Sequence, residues 1–353
     1  MSCAILTAAG MVIAGIGAAM GGWIYGVFVD AKGIHVNAPL LRQNDKETQK
    51  YKAEQEIQEA FNSIEIDMQY ADIRVEQSDS DRYTLSYGLS GGRLQKEIKD
   101  GKLLLKHGDD GYFGKQEAYF QWLALGRSEI ESRRIEKENY VTIGLPVGAK
   151  LKNISLHTDF ADVVCERIQA DSLNINVEYG DVSVSQVKAQ HMEIHPESGR
   201  LQMEQVQGAN CTIRDEYGDV MIKDMTLSDD LNIHLESGAL EFRNTLVHKL
   251  NLHSEYGDIH GYQAEFATAE VYQESRDCKL YDVLTNTCAI KSEYGNVELR
   301  LKDDTGDYAY DLHTEYGDIT INDHKMGESY GTIQENPDRR IEIFCESGNI
   351  NIQ

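Results

Sequence analysis

A carboxylate recurs through the chain at near-constant spacing: Asp159, Glu178, Glu197, Glu216, Glu236, Glu255, Glu274, Glu293, Glu315 and Glu346. Two residues before these positions stand His157, Asn176, His195, Arg214, His234, His253, Tyr272, Lys291 and His313. In an extended strand, residues two apart share a face, so the acidic column and the partly basic one lie side by side. Three chemistries fit. His234, His253, Glu236 and Glu255 supply two imidazoles and two carboxylates, a donor set that suits zinc. The glutamates together with Asp181, Asp219, Asp258 and Asp318 supply the oxygen ligands calcium takes, although the chain lacks the "GGxGxDx" nonapeptides of calcium-binding β-rolls. The plainest reading is structural. Carboxylates ~4.8 Å apart repel by about 0.9 kcal/mol per pair even in water, and a neighbouring basic column offsets this. No cofactor is required by it.

The elements that must position these side chains follow from a repeat. Each carboxylate lies two residues before a corner position: Ala161, Gly180, Gly199, Gly218, Gly238, Gly257, Arg276, Gly295, Gly317 and Gly348. The spacing is 19 or 20 residues up to Gly295, then 22 and then 31. Five and seven residues before the glycine the chain is apolar (Ile175 and Leu173, Ile213 and Cys211), and again two and four after it (Val182 and Val184, Val220 and Ile222). This is strand, tight turn, strand and a short polar return such as "KAQH". Units of this size stack with strands ~4.8 Å apart, which predicts an all-β, parallel, two-faced β-solenoid of about ten coils over residues 150–353. A coil of twice that length is the rival arrangement. The glycine is expected to supply a positive φ, the Asp after it to bond its own turn, and Tyr and Ser to alternate for packing.

Ahead of the repeat, residues 63–149 alternate in strand fashion ("SIEIDMQYADIRVEQ", "NYVTIGLPVGAKL") and are expected to open and cap the solenoid, with an aromatic insert between Lys106 and Asn139. Residues 30–62 read as a stalk or linker, part of it ("NDKETQKYKAEQEIQEAF") with helix-forming composition. Residues 1–29 contain the apolar run Ala4–Val29, long enough for one transmembrane helix and lacking a basic n-region, so it reads as a retained membrane anchor over residues 4–29. Gly17, Gly21, Gly22 and Gly26 within it offer a small-residue face for a homodimer.

The chain has 353 residues and a formal net charge of −25, which argues against nucleic acid as a partner. Cys165, Cys211, Cys278, Cys288 and Cys345 fall in strands and read as small buried hydrophobes, neither a disulfide frame nor a metal site. No nucleophile–base arrangement or phosphate loop stands out, so no catalytic residue is assigned and the chain is read as a non-enzyme. Catalysis on a β-helix groove, as in carbohydrate-active enzymes, is the alternative.

The segments "SIEIDMQYADIRVEQSDSD", "NYVTIGLPVGAKLKNISLHTDFADVV" and the serial "EYGD/ESG" units resemble the bacterial putative-adhesin β-strand-repeat family, a domain of unknown function, from about Ser63 to Gln353. The resemblance implies a single-pass cell-envelope protein, often of Gram-positive bacteria, with an extracellular solenoid, a scaffold or adhesin-like role towards a protein or glycan, and at times a link to envelope stress. It carries no catalytic residues. The charge count points the other way on orientation, since Lys32, Arg42, Lys46, Lys50 and Lys52 all follow the apolar run. A basic leader ahead of this start would reconcile the two. A metal-responsive module on the Glu/His face is the remaining alternative.

Overall fold

The computed structural model describes residues 27–30, 33–36, 51–89, 93–107, 139–332 and 338–353. From residue 150 the strands pair in parallel with the repeat as their register: Leu173 lies beside Met192, Cys211 beside Leu231, and Leu252 beside Val271. The register is one repeat of 19 or 20 residues, so the short coil is the one that forms. Inward positions make continuous apolar columns. Ile175, Ile194, Ile213, Ile233, Leu252, Val271 and Ile290 are all buried one above another. Burying each such side chain contributes roughly 1.5–3 kcal/mol, and the sum over the columns holds the coils together.

Each coil has three inward-facing runs, not two. In the strand Leu240–Tyr256 the buried residues are Leu240 and Phe242, then Thr245 and Val247, then Leu250, Leu252 and Ser254. The polar return expected from "KAQH" is itself such a run, with Val187 and Ala189 buried. Two corners separate these runs by different means. At one, Arg167, Gln186, Gln205, Asp224, Asn244, Gln263 and Asp282 all take φ between 50 and 57°. A non-glycine residue there costs about 1–2 kcal/mol, which column bonds such as Gln186 Nε2 to Gln205 Oε1 (3.0 Å) and Asn244 Nδ2 to Asp224 Oδ1 (2.6 Å) offset.

The other corner holds the glycines, and their reason differs from the one expected. Only some have a positive φ (Gly199 at 137°, Gly238 at 127°). What they share is contact: a Cβ on Gly257 would lie 1.8 Å from the Gly238 carbonyl oxygen, and one on Gly218 1.8 Å from that of Gly199. The coils meet backbone to backbone at these glycines, where an added Cβ has no room, although Ala161 and Arg276 stand at the same corner in two coils. The Asp after the glycine reaches across as well. Asp181 accepts the Arg200 backbone N–H (2.8 Å), Asp219 that of Ala239 (3.0 Å) and Asp258 that of Asp277 (3.1 Å). It thus bonds the next coil instead of its own turn.

Both ends of the stack depart from sequence order. Arg340–Ser347 inserts between Cys278–Tyr294 and Ala309–Tyr316, pairing in parallel with each. At the other end Ser63–Met68 lies between Lys102–His107 and Lys150–Thr158. The outermost coils then carry antiparallel partners: Leu94–Lys99 on Lys102–His107, Tyr83–Leu89 on Tyr140–Leu145, Ser329–Gly331 on Ala309–Tyr316 and His324–Gly327 on Ile319–Ile321. Such hairpins cover edges that would otherwise template pairing with another chain.

Three expectations need correction. The described part of the helical stalk is not a helix: Tyr51–Ile57 is a strand, antiparallel to Tyr83–Leu89, with Arg82 paired to Glu56, and residues 37–50 of the stalk lie outside the described residues. Its helix-forming composition yields to an edge strand with unpaired backbone groups beside it. The transmembrane helix, and with it the single-pass membrane localisation, is overturned too. Among the described residues no helix is long and apolar enough to cross a membrane, and Val27–Asp30, where the apolar run ends, is a strand paired with Gly33–Val36. The rest of that run, the glycines proposed for a homodimer and most of the aromatic insert lie outside the described residues.

Candidate functional site

The outward residues of the strands preceding the glycine corner line an open groove of about 1010 Å³. Its central column runs Arg214, His234, His253, Tyr272, Lys291, Phe344 and His313 in spatial order. Strand stacking at ~4.8 Å forces neighbouring rings on equivalent positions to meet. The His234 and His253 ring centroids are 4.7 Å apart, His253 and Tyr272 4.7 Å, and His313 stacks on Phe344 at 5.5 Å. Lys291 Nζ lies 5.1 Å from the Tyr272 ring centroid, within cation–π range. One flank is a polar column in which Asn251 Nδ2 donates to Asn232 Oδ1 at 2.7 Å.

The glutamate column runs beside the central column on its other side without lining the groove, and basic neighbours relieve part of it, as the sequence predicts. His157 pairs with Asp159 (3.2 Å) and Lys291 with Glu293 (3.9 Å). His195 and Arg214 instead both turn to Glu193, at 3.1 and 3.3 Å. Glu197 is thereby left to its neighbours, and partial desolvation, then Glu216 and Glu178, raise its pKa above the ordinary value. Tyr272 donates its hydroxyl to Glu293 (2.5 Å). That bond first, then burial and the surrounding carboxylates, push the phenol up to about 12.

Of the four residues predicted to hold a metal, the structure brings two into one cluster. His253, Glu255 and Glu274 each offer a ligand atom, all within 4.8 Å of one another. His234 lies against His253 with its ring tilted by 35°, but neither it nor Glu236 joins that set. Glu274 was legible as the next member of the glutamate column. It replaces Glu236 because the ligand atoms converge towards the coil above His253. A hydrated or protein-bound divalent ion fits half-buried oxygen and imidazole donors of this kind. The corner aspartates expected to assist calcium use an oxygen on the backbone N–H of the next coil.

The cysteines pack as expected. Cys165, Cys211, Cys278, Cys288 and Cys345 are buried free thiols, and burial pushes Cys165, Cys211 and Cys288 up to about 12. Such thiols are poor nucleophiles and poor metal ligands.

Sequence reasoning missed Asp215. It is buried at the position three before the glycine, between Pro196 and Leu235 in the stack, and neither carboxylate oxygen has a hydrogen-bond partner. Burial, then Asp219 and Glu216, push its carboxyl up to about 7.

Solved structures with likeness to the chain include one described as a putative lipid binding protein from Parabacteroides distasonis, 15% identical, covering 86% of this chain and 96% of its own, with TM-score 0.39. Another is described as a putative adhesin from Bacteroides fragilis, 14% identical, covering 86% and 97%, with TM-score 0.33. A third, a putative adhesin from Parabacteroides distasonis, is 12% identical, covers 86% and 98%, and has TM-score 0.28. No protein of curated function matches the chain. The family described as Toastrack DUF4097 matches residues 61–277 and, overlapping, 203–353, which together span every coil described above. The chain belongs to the Toastrack DUF4097 family, a β-rich domain of unknown function.

Proposed function

We propose that the chain is a non-enzymatic binding scaffold that receives a partner in the groove along its first strand face. The observation that carries this is the ring column His234, His253 and Tyr272, continued past Lys291 by Phe344 and His313, which presents π-faces and hydrogen-bonding edges side by side. Aromatic and imidazole groups on a rigid sheet bind at low entropic cost, because the backbone already fixes their spacing. Glycan and peptide arrays probed with wild-type protein and with a His253→Ala, Tyr272→Ala variant test it. Ligands held by the wild type should lose at least about tenfold in affinity in the variant. Unchanged binding, or turnover of any arrayed glycan, would refute the reading.

A second reading is favoured by the His253, Glu255 and Glu274 cluster: a divalent-metal-responsive module. Calorimetry with zinc and with calcium should show one site that is lost in Glu274→Gln and retained in Glu236→Gln. Equal heats from the two variants would end this reading.

A further inference from the structure

Seven of the ten exposed large hydrophobic side chains among the described residues lie on one edge of the solenoid, at the corner just before the glycine column. That concentration sets the edge apart from scattered surface apolar residues, which need no explanation. Two of them, Tyr70 and Phe160, occupy the coils next to Tyr179 and continue it as a closed stack, with ring centroids 5.3 and 5.1 Å apart, so one face of Tyr179 is covered. The other five, from that residue onward, are Tyr179, Tyr217, Tyr256, Tyr294 and Tyr316, whose exposure runs from 53% to 75%. In the stack each is separated from the next by a serine: Ser198, Ser237, Ser275 and Ser347. In sequence order the pattern fails at the end, because Tyr294 and Tyr316 follow one another and Ser347 comes last. The insertion of Arg340–Ser347 between their strands restores it in space. The rungs therefore recur every second coil, roughly 9.6 Å apart, over roughly 38 Å. Packing against the small corner explains the serine but not why each ring stays more than half exposed.

We infer that this edge binds a linear β-1,4-linked amino-sugar polymer, lying along the stack with its sugar faces on the tyrosines. In a β-1,4-linked chain successive sugars are flipped, so the same face returns every second unit, about the interval of the rungs. The electron-rich face of each ring attracts the polarised C–H edges of a sugar and, more strongly, an ammonium group. A carboxylate directly precedes every rung (Glu178, Glu216, Glu255, Glu293, Glu315), and the whole chain carries a net charge of −25, which together select a cationic glycan over a neutral or an acidic one. This edge is distinct from the ring column of the groove, so it stands or falls apart from the reading given above.

The test is calorimetry on the full chain with a β-1,4-glucosamine hexamer, with cellohexaose as the neutral counterpart of the same linkage. The hexamer should bind with an affinity that falls as salt rises, and at least roughly tenfold more tightly than cellohexaose. Tyr217→Ser with Tyr256→Ser should weaken it by roughly tenfold or more. Serine is already accommodated at this corner in alternate coils, so the variant retains the fold, which its melting transition verifies. No heat with the hexamer, equal affinity for cellohexaose, or an unchanged affinity in the tyrosine variant would each overturn the inference.

Discussion

Asp215→Ser should stabilise the protein by about 3–4 kcal/mol at pH 8 and leave it nearly unchanged at pH 4. The basis is the column in which Asp215 stands. At the equivalent position of other coils, Thr314 Oγ1 donates to the Gly348 carbonyl (2.9 Å), Gln273 Nε2 to that of Gly257 (2.7 Å) and Ser292 Oγ to that of Gly295 (3.4 Å). Where a bonded polar side chain stands in this column it donates to a corner carbonyl, while the coils flanking Asp215 carry the apolar Pro196 and Leu235; a carboxylate suits neither neighbour nor carbonyl, having no donor to offer. Only the protonated acid suits it, which agrees with a carboxyl held at about 7 by burial, then by Asp219 and Glu216.

The sign follows from linkage. The folded value lies above the ordinary 3.8, so the proton is bound more tightly in the fold than in the unfolded chain. The stability this gives is whole below about pH 4 and is lost as pH rises through about 7, a total of about 4 kcal/mol. Serine keeps the donor and removes the titration. Unfolding midpoints of both proteins between pH 4 and pH 8 check this. The remaining carboxylates act on both proteins alike, so the difference isolates Asp215. Parallel curves would show that the carboxyl is not buried as described.

Gly257→Ala should destabilise by about 3 kcal/mol, near the upper end for a small-to-large change in a packed site. The added Cβ would lie 1.8 Å from the Gly238 oxygen and 2.7 Å from its carbonyl carbon. Neither is the end of a flexible side chain, and both belong to the peptide held by the hydrogen bond from the Ala239 N–H to Asp219 Oδ1 (3.0 Å). Gly257 has no positive φ among the corner glycines that do, so the cost measures close approach alone. Gly148→Ala is the opposite case. Its φ is +77°, yet a Cβ there meets nothing within 4 Å, so only about 1 kcal/mol of backbone strain is expected. Thermal unfolding of the two variants separates the effects. Equal losses would mean that backbone conformation, not the contact between coils, decides which residue stands at the corner. Ala161 and Arg276, the latter at φ 98°, show that the corner tolerates two exceptions.

Much of the scaffold was legible because a parallel stack repeats its environment every coil. Inward positions such as Ile194 and Ile213 had to be apolar, and Cys211 and Cys288 behave there as hydrophobes. The glutamate and imidazole columns followed from the same period, and with them the meeting of His253 and Glu255. The stalk was misread for the converse reason: "KYKAEQEI" has no periodic signal of its own, and its strand exists only because Tyr83–Leu89 offers an edge.

Period, inward face and the surface columns were thus determined by the sequence alone, since each depends only on residues one repeat apart. Tertiary structure decided what depends on which coil lies next to which. It set Ser347 between Tyr294 and Tyr316, completing a ladder that sequence order breaks. It pressed the carbonyl of each corner glycine against the Cα of the next, and it closed Asp215 away from water. Adjacency at the ends of a stack is not encoded in a local pattern: it is settled by covering the last exposed strand edges, a condition that involves the whole chain at once.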